Sequence, residues 1–191
     1  MISASGSVGA LNARDHFSLF GLPVRFALDS EALERAWRAV QAAVHPDRFA
    51  GGTDAQRLLA LQYSTRINEA HDTLRDPLRR AAYLCALNGV SVDAERNTAM
   101  PTEFLMQQME WRESLEDAAA ARDLRGLAQL EQEVAAAMAE TELLIEHLLD
   151  RPEPDYTRAA AEVRQMMFLA KFSDQVREEQ KRSERGIAAD R

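Results

Sequence analysis

The chain has 191 residues, 46% of them hydrophobic, which predicts a soluble globular protein with one medium domain or two small ones. Its formal net charge is -8, and the acidic excess lies in residues 91–191, which contain 13 Lys and Arg but 22 Asp and Glu. Residues 1–90 contain 10 Lys and Arg and 9 Asp and Glu. DNA is therefore an unfavourable partner for the whole chain, and the single cysteine, Cys85, excludes an internal disulfide and any site built on cysteine pairs.

The first residues show no targeting pattern. Residues 1–13 are small and polar, without a cationic segment ahead of an apolar run, and no stretch of the chain approaches bilayer-spanning length. We expect a flexible N-terminal segment, a cytoplasmic protein, and a core position for Cys85.

The fold class is all-α. Glycine and proline are scarce, strong helix formers recur throughout, and no strand pattern is found. Asp29 and Ser30 offer an N-cap for a helix that ends at His45-Pro46, and a second helix begins near Asp54 and ends at Asp76-Pro77. The two are predicted to form an antiparallel hairpin. The buried residues expected from helical spacing are Leu33, Trp37, Val40 and Val44 in the first helix and Leu59, Tyr63, Ile67, Ala70 and Leu74 in the second.

Short segments cover the two sides of this hairpin. An apolar cluster over residues 17–22 precedes it, and Tyr83, Leu84 and Leu87 follow it until Asn88-Gly89 ends the segment. We place a first domain at residues 14–90.

The second half is predicted to be a three-helix bundle. Residues 91–101 have no clear period and are interpreted as a hinge. Helices are predicted over about 102–121, 123–150 and 154–183, and short connections make them antiparallel neighbours. We expect the bundle to occupy residues 102–185, the end of the chain to fray from about Ser183, and residues 186–191 to form a frayed tail.

One tripeptide stands at the tip of the hairpin. His45-Pro46-Asp47 can serve only to end the helix, since histidine is favourable at a helix C-terminus, proline stops a helix and aspartate forms a turn. Alternatively, the tip is a binding loop, because Arg35, Arg38 and His45 share the side of the first helix away from its apolar stripe. Arg48 extends this cationic face and Arg25 is a further candidate; such a face would steer the domain to an acidic protein surface, although it can also be an ordinary solvated face.

The bundle carries more apolar residues than one core needs. At about 100° per residue, Phe104, Trp111 and Leu115 share one stripe of the first bundle helix, while Leu105, Met106 and Met109 centre roughly 140° away. The four consecutive apolar residues 166–169 surround the axis of the third helix in the same way. This surplus either packs against the first domain or forms a binding site for a client protein, for which methionine is well suited.

Several of these stretches resemble known families. The hairpin with HPDRF and INEAHDTLRDPLRRAAYL resembles a J domain, the module that activates DnaK- and HscA-type ATPase chaperones. Together with HFSLFGLP, TEFLMQQMEWRESLE and RQMMFLAKF, the chain resembles the HscB family of co-chaperones of iron–sulfur cluster biogenesis. The resemblance implies an L-shaped arrangement of J domain and bundle, in which the bundle binds the cluster scaffold IscU and the J domain delivers it to the chaperone.

The resemblance also implies the site residues. It assigns chaperone binding to His45, Pro46, Asp47, Arg35, Arg38 and Arg48, with Asp47 pairing with an arginine of the chaperone. Scaffold binding falls to Leu105, Met106, Met109, Phe168 and the polar neighbours Glu110, Arg112 and Glu113. Three positions depart from the family pattern: Arg48 replaces lysine, Met109 replaces leucine, and His71 replaces an aromatic residue and is expected to weaken local packing. The cysteine-pair metal module of some eukaryotic relatives has no counterpart here.

Two other readings compete with this one. An enzyme is disfavoured, because the four histidines, His16, His45, His71 and His147, lie in separate segments and neither HExxH nor a phosphate loop is present. His71 and Cys85 are too few to hold a metal, and we expect no cofactor. The other reading keeps the J domain but gives the bundle a different client or a purely structural role.

Overall fold

The computed structural model describes residues 15–44, 51–92 and 100–189, and the part of the chain it describes is helical throughout, with turns and short connections between helices. The chain divides into two compact units, Met1–Leu87 and Asn88–Arg191. The first contains α1 (His16–Phe20), α2 (Ser30–Val44), α3 (Asp54–Arg75) and α4 (Pro77–Leu87), and the second contains α5 (Thr102–Ala120), α6 (Leu124–Asp150) and α7 (Tyr156–Ala189). The all-α fold class is confirmed.

The helices of the first unit begin and end where local chemistry requires. Asp29 accepts hydrogen bonds from the backbone N–H groups of Glu31 and Ala32 at the start of α2, so the predicted cap is confirmed. Thr53 and Gln56 form a reciprocal capping box at α3, which ends at Arg75 with Asp76 as its C-cap before Pro77. After α4, Gly89 has a φ of 77°, a left-handed conformation that ends the helix at little cost only for glycine.

The α2–α3 pair forms the centre of the first unit. Glu34 and Trp37, in the middle of α2, contact His71 and Asn68 near the end of α3, as an antiparallel hairpin requires. α1 packs on α2 and α3, and α4 packs on α3. The core is formed by buried side chains that include Phe17, Phe26, Leu33, Ile67, Leu74, Leu84 and Cys85, which confirms the predicted interior position of the cysteine.

One predicted core position in α3 is wrong. Leu59 is 48% exposed and Tyr63 is half-buried, whereas Ala60 is buried together with Ile67, Ala70 and Leu74. Each step of four residues turns a helix by about 400°, so Leu59 lies about 80° round the helix from Ile67 after two steps. Ala60, seven residues before Ile67, returns to nearly the same side and takes the buried position.

The second unit is an up-down-up bundle. Glu131 in α6 meets Arg177 and Gln180 in α7, as antiparallel helices require, and α5 packs against both. The buried cluster joining the three helices contains Trp111, Leu130, Val134, Leu169, Phe172 and Val176. Its helices match the predicted bounds within two residues at every end except the last.

The end of the chain differs from the expectation of a frayed tail. α7 continues to Ala189, and Ser183, where we expected fraying to begin, is buried. A Cβ atom on Gly186 would lie 3.5 Å from the guanidinium carbon of Arg122, in the turn between α5 and α6. The last turns of α7 therefore lie beside the turn between α5 and α6.

Candidate functional site

Two of the arginines predicted to form a cationic face lie on the described part of α2. Arg35 and Arg38 are both exposed, and each meets carboxylates of its own helix start. Arg35 lies 3.3 Å from Glu31 and 3.7 Å from Asp29, and Arg38 lies 3.9 Å from Glu34. Exposed ion pairs of this kind contribute little to stability. A carboxylate of a binding partner can therefore replace Glu31, Asp29 or Glu34 at a small cost in free energy. The other predicted chaperone-binding residues, His45, Pro46, Asp47 and Arg48, lie outside the described residues.

His71 on α3 packs closely against α2, contrary to the expectation that it would weaken local packing. The imidazole is buried, stacks on Trp37 with 4.5 Å between ring centroids, and approaches the Glu34 carboxylate at 2.8 Å through Nε2. A purely hydrocarbon ring could make the first contact but not the second. The departure from the family pattern therefore adds a polar tie between α2 and α3.

Three predicted scaffold-binding residues form an exposed apolar flank on α5. Leu105, Met106 and Met109 are 44%, 54% and 71% exposed, while Trp111 on the inner face of the same helix is 5% exposed. The helix therefore buries one of its two apolar stripes and leaves the other in water. An exposed cluster of large apolar side chains on a folded helix is a typical protein-binding surface.

Phe168 lies between this flank and the bundle core. Its ring meets Phe104 edge-to-face at 5.7 Å and stacks on Phe172 at 5.8 Å between centroids. The guanidinium carbon of Arg112 stands over the same ring, 5.9 Å from its centroid. Arg112 thus connects Phe168 on α7 with the exposed side of α5, and the two parts of the predicted site are brought together.

The polar neighbours complete the site. Glu110 and Glu113 are exposed on α5, and Glu110 accepts a hydrogen bond of 3.2 Å from the Gln107 side-chain amide. The apolar flank is therefore bordered by carboxylates with one guanidinium among them. Such a border favours a partner whose own apolar patch is surrounded by basic residues.

The apolar run of α7 is divided between the interior and the surface. Met166 and Leu169 are buried, Met167 is exposed and Phe168 is half-buried. Two of these four apolar residues, Met167 and Phe168, are therefore not fully used by the core of the bundle.

Sequence reasoning did not assign Phe104 and Phe172 to the site, although both contact Phe168. The signal was available for Phe104, because it shares a stripe with Trp111 and Leu115 and immediately precedes Leu105. For Phe172 the signal was its spacing of four residues from Phe168, which places both rings on one side of α7.

Within residues 15–44, 51–92 and 100–189, no group of three or more His, Cys, Asp and Glu side chains is placed to hold a metal ion. None of the helices described over these ranges is both long enough and apolar enough to cross a membrane.

The described chain thus combines a helical hairpin and its flanking helices with a three-helix bundle that has an exposed apolar flank. Residues 100–177 match the family model described as the HSCB C-terminal oligomerisation domain. The chain is 54% identical over 162 residues to the co-chaperone protein HscB homolog of Burkholderia multivorans, covering 84% of this chain and 91% of the relative. The homolog of Burkholderia cenocepacia is 52% identical with the same coverage.

Solved structures agree with this assignment. Chaperone HscB from Vibrio cholerae matches with a TM-score of 0.77 and 36% identity, over 88% of this chain and 99% of that one. The human co-chaperone protein HscB matches with a TM-score of 0.80 and 25% identity, over 87% of this chain and 82% of that one. The chain belongs to the HscB family of co-chaperones.

Proposed function

We propose that this co-chaperone is a two-ended adaptor: its bundle binds the iron–sulfur cluster scaffold IscU, and its J domain delivers the scaffold to an HscA- or DnaK-type chaperone and stimulates ATP hydrolysis there. The observation that carries the proposal is the exposed flank of Leu105, Met106 and Met109 beside Phe168, in a chain that belongs to the HscB family. The chain itself supplies binding surfaces, and the chaperone supplies the catalytic centre.

The client surface has the chemistry for a moderately tight, reversible complex. Burying each of its large apolar side chains contributes about 1.5–3 kcal/mol before the cost of association is subtracted. Methionine side chains adapt to the shape of a partner, and the bordering Glu110 and Glu113 select for basic residues around the partner's apolar patch. This patch is the IscU-binding surface in our proposal.

The J-domain end relies on charge and on the His45-Pro46-Asp47 tripeptide. Arg35 and Arg38 project from α2 into water, and His45-Pro46-Asp47 follows directly on Val44, the last residue of that helix. Carboxylates on the chaperone would replace Glu31, Asp29 and Glu34 as partners of the arginines. Asp47 would pair with a chaperone arginine, and the fixed φ of Pro46 would lower the entropy lost on docking.

The name of the matching family model supports a second candidate function for the same face. If the bundle serves as an oligomerisation domain, Leu105, Met106 and Met109 would be covered by another copy of the chain. Light scattering after size exclusion separates the two candidates: a monomer that forms a one-to-one complex with IscU supports the adaptor, and a stable oligomer that IscU does not dissociate supports self-association.

A matched pair of variants tests the client surface. Met109→Ser removes an exposed apolar side chain from the proposed site, and Leu143→Ser removes a 68% exposed one from α6, outside the site. Calorimetric titration with IscU should show roughly ten- to hundredfold weaker binding for the first variant and wild-type binding for the second. Equal loss in both, or loss in neither, would contradict the proposed surface.

A further inference from the structure

Phe168 belongs to a chain of four aromatic rings that spans two helices. Phe104 and Trp111 come from α5, and Phe168 and Phe172 come from α7. Besides the contacts of Phe168 with Phe104 and Phe172, Trp111 stacks on Phe172 with 6.1 Å between centroids. The rings therefore form a continuous path that begins on α5 at the surface, passes through the two rings of α7 and returns to α5 in the interior.

The two ends of this path have different surroundings. Trp111 and Phe172 are buried in the core, so their positions are fixed by close packing on every side. Phe104 and Phe168 are partly buried and form the outer end. Phe168 thus has a fixed ring beneath it, while its position along the surface depends on Phe104 and on Arg112.

Phe104 also occupies a special place in the chain. It lies in the first turn of α5 and is followed directly by Leu105 and Met106. A helix end frays easily unless a side chain ties it to a neighbour. The contact of Phe104 with Phe168 supplies this tie at the end of α5 that carries the exposed residues.

We propose that Phe104 is a positioning residue of the client-binding site: it holds the ring of Phe168 and the first turn of α5 in the arrangement that the client meets. This inference rests on the proposed function of the bundle. An edge-to-face pair restricts both rings more than an aliphatic contact does. Because ordering a side chain on binding costs free energy, a surface ordered in advance binds more tightly without gaining any contact.

The variant Phe104→Leu keeps an apolar side chain but removes the ring, and Phe104→Tyr keeps the ring. Leu115→Val is the stability control, since Leu115 lies on the same helix and packs against the same core cluster. Thermal melts establish how far each variant lowers Tm, and calorimetry with IscU measures the dissociation constant. We expect Phe104→Leu to weaken binding about three- to tenfold, and both Phe104→Tyr and Leu115→Val to bind like the wild type.

A second measurement needs no partner. In the free full-length chain carrying ¹³C-labelled phenylalanine rings, the Phe168 signals, assigned by Phe168→Leu, should change in line width in Phe104→Leu but not in Leu115→Val. The line width is the readout because loss of the Phe104 ring current shifts these signals whether or not Phe168 moves. Unchanged Phe168 line widths in Phe104→Leu, or binding losses that follow Tm equally in both variants, would overturn the positioning role. If wild-type protein fails to bind IscU, the proposed function fails, and the ring signals still decide whether Phe104 orders Phe168.

Discussion

Arg112 and Phe168 connect the two helices of the proposed client surface, because the guanidinium of the first lies over the ring of the second at 5.9 Å from its centroid. Arg112 belongs to α5, which carries the exposed apolar flank, and Phe168 belongs to α7. The surface therefore depends on the packing between α5 and α7. Residues that maintain this packing and residues that meet the client should respond differently to substitution.

Leu105→Ala should weaken IscU binding while leaving stability nearly unchanged, because Leu105 is exposed and its truncation opens no cavity. Leu130→Ala, in the buried cluster of the same bundle, should lower the free energy of unfolding by about 2–5 kcal/mol. Urea unfolding and calorimetric titration of both variants make the comparison. A large loss of stability in Leu105→Ala would show that this side chain serves the core.

Arg38→Ala should weaken docking to the chaperone and reduce its dependence on salt, because an exposed cation contributes through long-range attraction that salt screens. Arg79→Ala is the matched control: Arg79 is also an exposed arginine with a carboxylate neighbour, but it lies on α4. Association rates measured at several salt concentrations give the result. If both variants lose the same amount, total charge governs docking and the face of α2 does not.

His71→Ala should lower the stability of the J domain by about 2–4 kcal/mol, since it removes a buried ring and leaves the Glu34 carboxylate without its 2.8 Å partner. His71→Phe retains the stack on Trp37 and should cost less. Urea unfolding followed by tryptophan fluorescence measures both variants. Wild-type stability in His71→Ala would mean that neither contact contributes.

The stability of the J domain should fall as the pH decreases below 6.5. Burial lowers the pKa of His16 from its ordinary value of 6.5, a shift to which Arg66 adds and which the carboxylates of Glu69 and Asp15 oppose. The ring stacks on Tyr83, whose hydroxyl accepts the His16 backbone N–H at 2.9 Å. The folded chain therefore binds a proton at the His16 imidazole less tightly than the unfolded chain does. The neutral ring makes its full contribution to stability above pH 6.5, and this contribution is lost as the pH falls below that value.

Nuclear magnetic resonance titration of the His16 ring in the folded chain and in urea measures this difference directly. Urea unfolding of wild type and His16→Gln at pH 7.5 and 5.5 then checks its consequence, and the variant should show the smaller decrease. A His16 pKa that is higher in the folded chain than in urea would reverse the sign and contradict the prediction.

Helix positions could be predicted from the sequence because their ends depend on local chemistry. Asp29, Thr53 and Pro77 act within one turn of the chain, and so does Gly89 with its left-handed backbone. The exposed flank of α5 was also predictable, since one helix cannot turn Trp111 and Met106 toward the same core. These features need no knowledge of distant residues.

The features that could not be predicted depend on tertiary contacts. The buried environment of His71 comes from Trp37 and Glu34, more than thirty positions earlier in the chain. The continuation of α7 past Ser183 accompanies the approach of Gly186 to Arg122. The role of Phe104 beside Phe168 likewise appears only when α5 and α7 are packed together. The spacing of residues within one helix carries no information about these neighbours.

The most direct test of the adaptor is steady-state ATP hydrolysis by an HscA-type chaperone, with IscU and this protein added separately and together. Wild-type protein should stimulate hydrolysis, most strongly with IscU present. Asp47→Asn should abolish stimulation while binding IscU normally, since the substitution leaves the bundle unchanged. Full stimulation by Asp47→Asn, or no stimulation by the wild type, would contradict the account.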